Sequence, residues 1–455
     1  LGNWKLKSID FDKYDINGYV VPYHAHSDFI QLGAELGIIG FISYLGIFFM
    51  AIFFAYRYIK NSSSTLEQRL FIFLLLVSLG IYSVDASLNF PIARPQVLVV
   101  WTLVMSLLSF YYYEQTEQQP KKKVSTSFLL LSIVCLLPSL FVTNSVYKSL
   151  KGQMYLLSDF NSNKYSVAMN DIDDIVPNIP NITVTTIPLK SVKARYYFNA
   201  KQYDRALELL NEGTNANPYL YYSELLKSQI YSAKGQLDSA MYFARTAFFG
   251  LPNNSLHSAT YLNLISQLRD QNALDEAFEL LTAKGDFNNW KNYLIIANNI
   301  MPKGDLKTIE RAKEAVRLFP TNSDIKSLFN TIAIGQENIN EAQKLSNLAL
   351  TNFNQQDYVQ AAANFEKAIA LNPYEYAFYE NAATSNYLTG DLNKALEQID
   401  KVINEMNPLN GKCEYIKALI FIKLGDPIGA CPLLATSRDS GYGQAEGTFD
   451  QYCKN

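Results

Sequence analysis

The pattern of apolar and polar positions divides this chain of 455 residues in two. In the first third, apolar residues run almost unbroken through "GIIGFISYLGIFFMAIFFAY" from Gly37, "LFIFLLLVSLGIYSVDASL" from Leu70, "VLVVWTLVMSLLSFYYY" from Val97 and "SFLLLSIVCLLPSLFVTNSV" from Ser127. Each approaches the roughly 17–25 residues that a helix needs to cross a bilayer. With so few charges, the four runs predict transmembrane helices over about 37–56, 70–88, 97–113 and 127–146 rather than buried core helices. From about residue 190 the pattern changes to the three- and four-residue spacing of amphipathic helices, rich in Ala, Leu, Asn, Lys and Glu.

That second part repeats itself. In "YDRALELLNEGTNANP" and "LDSAMYFARTAFFGLP", Ala206 aligns with Ala240, Gly213 with Ala247 and Pro218 with Pro252, each 34 residues apart. Further on, "YVQAAANFEKAIALNP" and "LNKALEQIDKVINEMNP" place Ala361 and Ala395 at the same interval, with Ala368 and Pro373 at matching offsets. Ala277 and "RAKEAVRLFP", ending at Pro320, are looser copies. Over most of residues 190–455 the chain therefore resembles the tetratricopeptide repeats, whose period is 34. In such repeats small residues let two helices cross closely, larger apolar ones fill the seam to the next pair, and proline ends the second helix. The resemblance implies about six or seven repeats stacked as a curved solenoid that binds a protein or peptide partner. The predicted fold class is all-α, with about four transmembrane helices followed by a tetratricopeptide-repeat solenoid. Its expected parts are an outer loop over 1–35, membrane helices over 36–148, a linker over 149–189 and the solenoid over 190–455.

Charge sets the orientation. The formal net charge of −3 comes without a basic patch, so nucleic acid is not an expected partner. Arg57, Lys60 and Arg69 in one short loop and Lys121, Lys122 and Lys123 in another favour the cytoplasm. The segment before the first span, the loop "DASLNFPIARP" and everything after about residue 148 then fall outside, although Lys5, Lys7 and Lys13 also lie there. The expectation is a multi-pass protein of a bacterial inner membrane with its repeats in the periplasm. The chain opens on Leu1 without the ordered parts of a signal peptide, and reads as a piece that begins inside a larger protein. Outside the cytoplasm a disulfide can persist. Cys431 and Cys453, on the two helices of the last hairpin, are the candidate pair, the other reading being small buried hydrophobes.

The stretch "VPYHAHSDFIQLGAELGIIG" contains two of the three histidines, His24 and His26. A helix starting near Ser27 puts Ser27, Gln31 and Glu35 on one face, with Asp28 beside Gln31. Gly33, Gly37 and Gly40 line another face that a neighbouring helix can approach closely. A carboxylate this near hydrocarbon needs a partner, which marks Glu35 as functional or structural.

Through His26, Ile30, Gln31, Glu35, Gly37 and Gly40 this stretch resembles the O-antigen ligase and O-antigen polymerase-like family, which includes bacterial O-oligosaccharyltransferases. Ser27 stands where that family commonly has asparagine, and "LGNWKL" and "NFPIARP" resemble its flanking segments. The resemblance covers about residues 1–115, the carboxyl-terminal part of the family's core, without the earlier membrane helices whose arginines hold lipid pyrophosphate. It implies transfer of a glycan from an undecaprenyl-pyrophosphate carrier to an acceptor hydroxyl, with no cofactor. Pyrophosphate leaves readily, so the chemistry needs a base for the hydroxyl and positive charge for the departing phosphates. Neutral histidine suits the first task. His26 is the expected base, Glu35 or Asp28 would orient it, and Gln31, Ser27 and Arg94 are expected to contact substrate, Arg94 through phosphate.

Other readings of the same residues stand beside these. His24, His26 and Asp28 in an extended loop could approach one metal ion, but no cysteine or fourth ligand is near, and no metal is assigned. Both histidines could be structural at the membrane interface, and Arg94, close to Pro91 and Pro95, an interfacial anchor. His257 reads as a solvated or packed residue between repeats. The rival function is a membrane-anchored tetratricopeptide-repeat scaffold without catalytic activity.

Overall fold

A computed structural model describes residues 4–61, 63–116, 126–169, 171–175, 179–406, 408 and 410–454; the Lys121–Lys123 loop used for orientation lies outside the described residues. The chain is all-helical, and its described residues pair in β fashion only at the Ile182–Pro188 bridge. It forms two compact units, Leu1–Leu268 and Arg269–Asn455.

The first unit opens with α1 (Trp4–Phe11), α2 (Asp28–Ile59), α3 (Leu66–Leu88), a 3₁₀ turn (Pro91–Ala93), α4 (Pro95–Thr116) and α5 (Thr126–Asn161). Helices α2 to α5 each contain a stretch long and apolar enough to cross a membrane. Ser27 caps α2 by accepting from the Ile30 amide, and Thr65 and Gln68 form a reciprocal capping box on α3. Within α2, Gly37 adopts φ 69° and ψ −169°, outside helical geometry, so the polar first turns Asp28–Leu36 are set off from the apolar remainder. Helices α2, α3 and α4 pack around Tyr44, Phe48, Ala55, Leu79, Tyr82 and Leu108. Two bounds differ from those expected. Helix α2 starts at Asp28, inside the stretch assigned to the outer loop, and α5 runs on to Asn161, so the expected linker begins as helix. The loss of apolarity after residue 146 does not end α5, because no proline interrupts "SVYKSLKGQMYLLSDFN".

After α6 (Ile172–Ile175), the same unit contains α7 (Leu189–Asn199), α8 (Tyr203–Ala216), α9 (Tyr222–Ala233), α10 (Leu237–Gly250) and α11 (Ser255–Leu268). Helix α7 packs on α8 and α9 on α10, with Ala206, Gly213, Ala240 and Ala247 buried in the seams. The seam explains Gly213: a Cβ there would stand 2.0 Å from Ser191 Oγ, which is hydrogen-bonded to Ser223 Oγ at 2.8 Å.

A strap, residues 4–25, lies against these helices. Ile9, Ile16 and Val21 are buried in one cluster with Ala194, Leu209, Leu220 and Tyr222. Lys7 donates to the Tyr219 hydroxyl and sits over its ring. Asn254 Nδ2 donates to the Gly18 carbonyl at 2.5 Å, and the Tyr19 ring meets Tyr222 edge-on at 5.0 Å. His257, completely buried, has its Nδ1 2.9 Å from the Ala247 carbonyl and its Nε2 3.0 Å from the Tyr19 hydroxyl. A carbonyl only accepts, so Nδ1 carries the proton and Nε2 accepts from Tyr19. Burial pushes the Tyr19 phenol up, which keeps it a donor, and pushes His257 down to about 4.

The second unit contains α12 (Gln271–Thr282), α13 (Phe287–Ile300), α14 (Leu306–Leu318), α15 (Ser323–Ile334), α16 (Gln336–Asn354), α17 (Tyr358–Leu371), α18 (Tyr376–Thr389), α19 (Leu392–Lys401), a π turn (Val402–Met406), α20 (Lys412–Lys423), α21 (Pro427–Asp439) and α22 (Ala445–Cys453). Helix α16 packs on α17, α18 on α19 and α20 on α21. Tyr358 and Leu392 open second helices at the 34-residue interval, but α15 is inserted between Leu306 and Tyr358 and breaks the period there. A disulfide joins Cys431 of α21 to Cys453 of α22, while Cys413 is a buried thiol pushed upward by burial and by Glu380.

One turn recurs along both units. The residue before the cap of each second helix is left-handed: Lys201, Gly235, Arg269, Gly304, Gln356, Gly390 and Gly425. The next residue is an aspartate in the second unit, and Asp270, Asp305, Asp357, Asp391 and Asp426 each accept a backbone amide three residues on. Left-handed backbone costs a residue with a Cβ about 1–2 kcal/mol relative to glycine. Gly390→Ala is therefore expected to lower stability by about 1 kcal/mol, and Gln356→Gly to raise it by up to about 1 kcal/mol, as read by urea unfolding. Changes of the opposite sign would refute this account of the turns.

His257 generates a second expectation. Its folded value near 4 lies below the ordinary 6.5, so the unfolded chain binds the proton first as pH falls. Stability from this group is full above 6.5, declines between 6.5 and 4, and loses about 3 kcal/mol by the lower end. Subtracting the unfolding profile of His257→Gln from that of the native chain should isolate this slope; parallel profiles would contradict it.

Candidate functional site

The histidine segment lies where α2 meets the 3₁₀ turn after α3. Asp28, 1% exposed, accepts from the Ile92 amide through Oδ2 at 2.9 Å, which fastens the start of α2 to the Phe90–Arg94 loop. Its Oδ1 is buried and takes no hydrogen bond from the described residues. Phe90 is the common neighbour. The His24 ring stacks on it at 4.2 Å, the His26 ring meets it edge-on at 5.4 Å, and the Arg94 guanidinium lies 5.1 Å from its centre.

The two histidines differ in how they are held. His26 is exposed and left-handed, with φ 51°. His24 is half-buried, and its Nδ1 stands 3.3 Å from Gln31 Oε1, an oxygen that also accepts from the Ala25 amide at 3.3 Å. An amide oxygen cannot donate, so His24 presents a proton on Nδ1 in this contact. One turn further along α2, Glu35 Oε1 accepts from the Trp4 amide at 3.4 Å. Gln31 and Glu35 thus take the two ends of the strap, while Ser27 serves as the cap of α2.

Lys5, Tyr23, His24, Gln31, Glu35 and Val184 line a half-open cavity of about 320 Å³. It combines one ammonium, one carboxylate, an imidazole and an amide, a set that can orient a polar group and exchange its proton. The sequence-derived residues His24, Gln31 and Glu35 meet there, His26 and Arg94 gather instead around Phe90, and Asp28 secures the intervening loop. Phe90, Lys5, Tyr23 and Val184 were not singled out from sequence. Phe90 had a signal, an aromatic residue beside proline in a short loop between two apolar runs. Among the described residues no three His, Cys, Asp or Glu side chains gather as a metal site would require.

No family model matches the chain. It is 25% identical over 242 residues, 51% of its length, to a TPR repeat-containing protein of Methanocaldococcus jannaschii, and spans 40% of the length of that curated relative. Among solved structures it is similar to a tetratricopeptide repeat protein from Parabacteroides merdae, with 15% identity over 57% of this chain and 96% of that one and a TM-score of 0.25. It is also similar to the TPR2AB domain of yeast Sti1, with 16% identity over 58% and 95% and a TM-score of 0.24, and to yeast Tom70, with 14% over 69% and 94% and a TM-score of 0.22. The match to the curated repeat protein, with the 34-residue steps and paired helices of this chain, supports the tetratricopeptide type for its repeats.

Proposed function

We propose that this protein is a membrane-anchored repeat scaffold whose helix pairs bind a protein or peptide segment. Helices α2 to α5 supply the anchor, and the repeats work on the outer face of a bacterial inner membrane. One observation carries the reading: helices α7 to α11 already hold a stretch of polypeptide, with Ile9, Ile16 and Val21 buried and the Gly18 carbonyl hydrogen-bonded by Asn254. A surface that takes apolar side chains and backbone polar groups of one segment is built for peptide recognition.

A second reading is favoured by the cavity at the start of α2. In it, the protein transfers a glycan from an undecaprenyl-pyrophosphate carrier to an acceptor hydroxyl. His26 remains the base indicated by the family resemblance, whereas the position of His24 beside Gln31 and Glu35 makes it a competing base. Arg94 next to Phe90 is the local positive charge for a departing phosphate.

Complementation by the full-length protein separates the readings. If it is a scaffold, His24→Ala and His26→Ala preserve function and removal of residues 269–455 abolishes it. If it is a transferase, loss of the base lowers glycan transfer by about 10²–10⁴-fold. Full transfer with both histidines replaced would exclude the second reading.

A further inference from the structure

The strap is closed at both ends on one face of α2, at Glu35 by the Trp4 amide and at Gln31 by Ala25 and His24. Its middle is gripped far along the sequence by Tyr222, Asn254 and His257. His24 comes only three residues after the buried Val21, and three extended residues reach about 10 Å at most. Pro22 lies between them and narrows the backbone choice further. The repeats that bury Val21 therefore keep Tyr23 and His24 within that reach.

Val184, which also lines the cavity, is held by the same helices. Val184 sits in a tight turn closed by the Thr183 amide on the Ile187 carbonyl at 2.8 Å. Asn217 Nδ2, just past α8, donates to the buried Thr186 carbonyl at 2.9 Å, and Ile187 packs on the cluster that receives the strap. Two of the three segments lining the cavity are therefore tied to the repeats, and α2 supplies the third.

We propose that the first repeats are the positioning element of the histidine cavity, with Tyr19, Asn254 and His257 as positioning residues that fix His24 against Gln31 by holding the strap. The repeats then serve their own chain before any outside partner. The inference rests on the transferase reading only for what the cavity does, not for how it is assembled.

Full-length protein in lipid nanodiscs, ¹⁵N-labelled at histidine, provides the test. The chain has three histidines, so each imidazole pair is assigned by single replacement with glutamine. In the native chain His24 should show one Nδ1-protonated state. Tyr19→Ala combined with Asn254→Ala should convert it to an averaged tautomer signal and speed amide exchange over residues 16–26 at least tenfold, leaving exchange over 269–455 unchanged. Tyr19→Phe, which retains the ring contact, should lie between the two. Ile16→Asp, outside every repeat helix, repeats the test should the double variant disturb the repeats. An unchanged His24 signal in strap-released variants, or an unprotected strap in the native chain, would overturn the proposal. The readout contains no transfer step, so it is independent of the outcome with His26→Ala.

Discussion

A histidine with no access to water must have both ring nitrogens satisfied by the protein, and at His257 one of the two partners is Tyr19, 238 residues earlier. This bond joins the strap ahead of α2 to a repeat, and neither side is complete without the other. Withdraw the strap, and the repeats expose the cluster around Leu209, Leu220 and Tyr222 and leave a buried acceptor unmatched. Withdraw the repeats, and residues 12–25 have no helix or sheet of their own to order them.

The arrangement also gives a physical reason for joining repeats to long apolar helices in one chain. A short loop has little apolar surface of its own to bury and pays the full conformational entropy of ordering. The strap obtains its order from outside: three apolar side chains, one carbonyl and one phenol are received by helices α7 to α11 and the turns between them. The histidine cavity lies between the received part and α2, so its shape follows from the two anchorages rather than from its own few residues.

The repeats were legible because their packing rule is written in single residues. Ala206, Ala240, Ala361 and Ala395 recur where helices cross, and all four are fully buried. The four long apolar helices were legible by length, but α2 and α5 overran the apolar runs, since a helix continues through polar residues until something breaks its backbone. The left-handed residue before each second helix was half hidden. Glycine marks it at 235, 304, 390 and 425, whereas Lys201, Arg269 and Gln356 adopt it with no such mark. Helix α15 left no signal in the period, only a lengthened interval. The strap was illegible altogether: Ile9, Ile16, Tyr19 and Val21 hold no single helical or strand spacing throughout, and their meaning lies in residues more than 160 positions away. The same is true of His257, which pattern alone could place only as solvated or packed. At the cavity, the face carrying Gln31 and Glu35 was readable from helical geometry, but their partners Trp4, Ala25 and His24 were not.

The central claim is that the strap and the repeats are one structure in the native protein. Cysteines at Lys7 and Tyr219, where the lysine donates to the phenol and lies over its ring, test it most directly and leave Tyr19, Asn254 and His257 in place. With Lys7→Cys and Tyr219→Cys together, a short thiol-specific reagent applied to the native protein should join the two positions within one chain, seen as a linked peptide pair after proteolysis. Adding Ile16→Asp should abolish that link. Absence of the Lys7–Tyr219 link while each cysteine alone is readily alkylated would contradict the account.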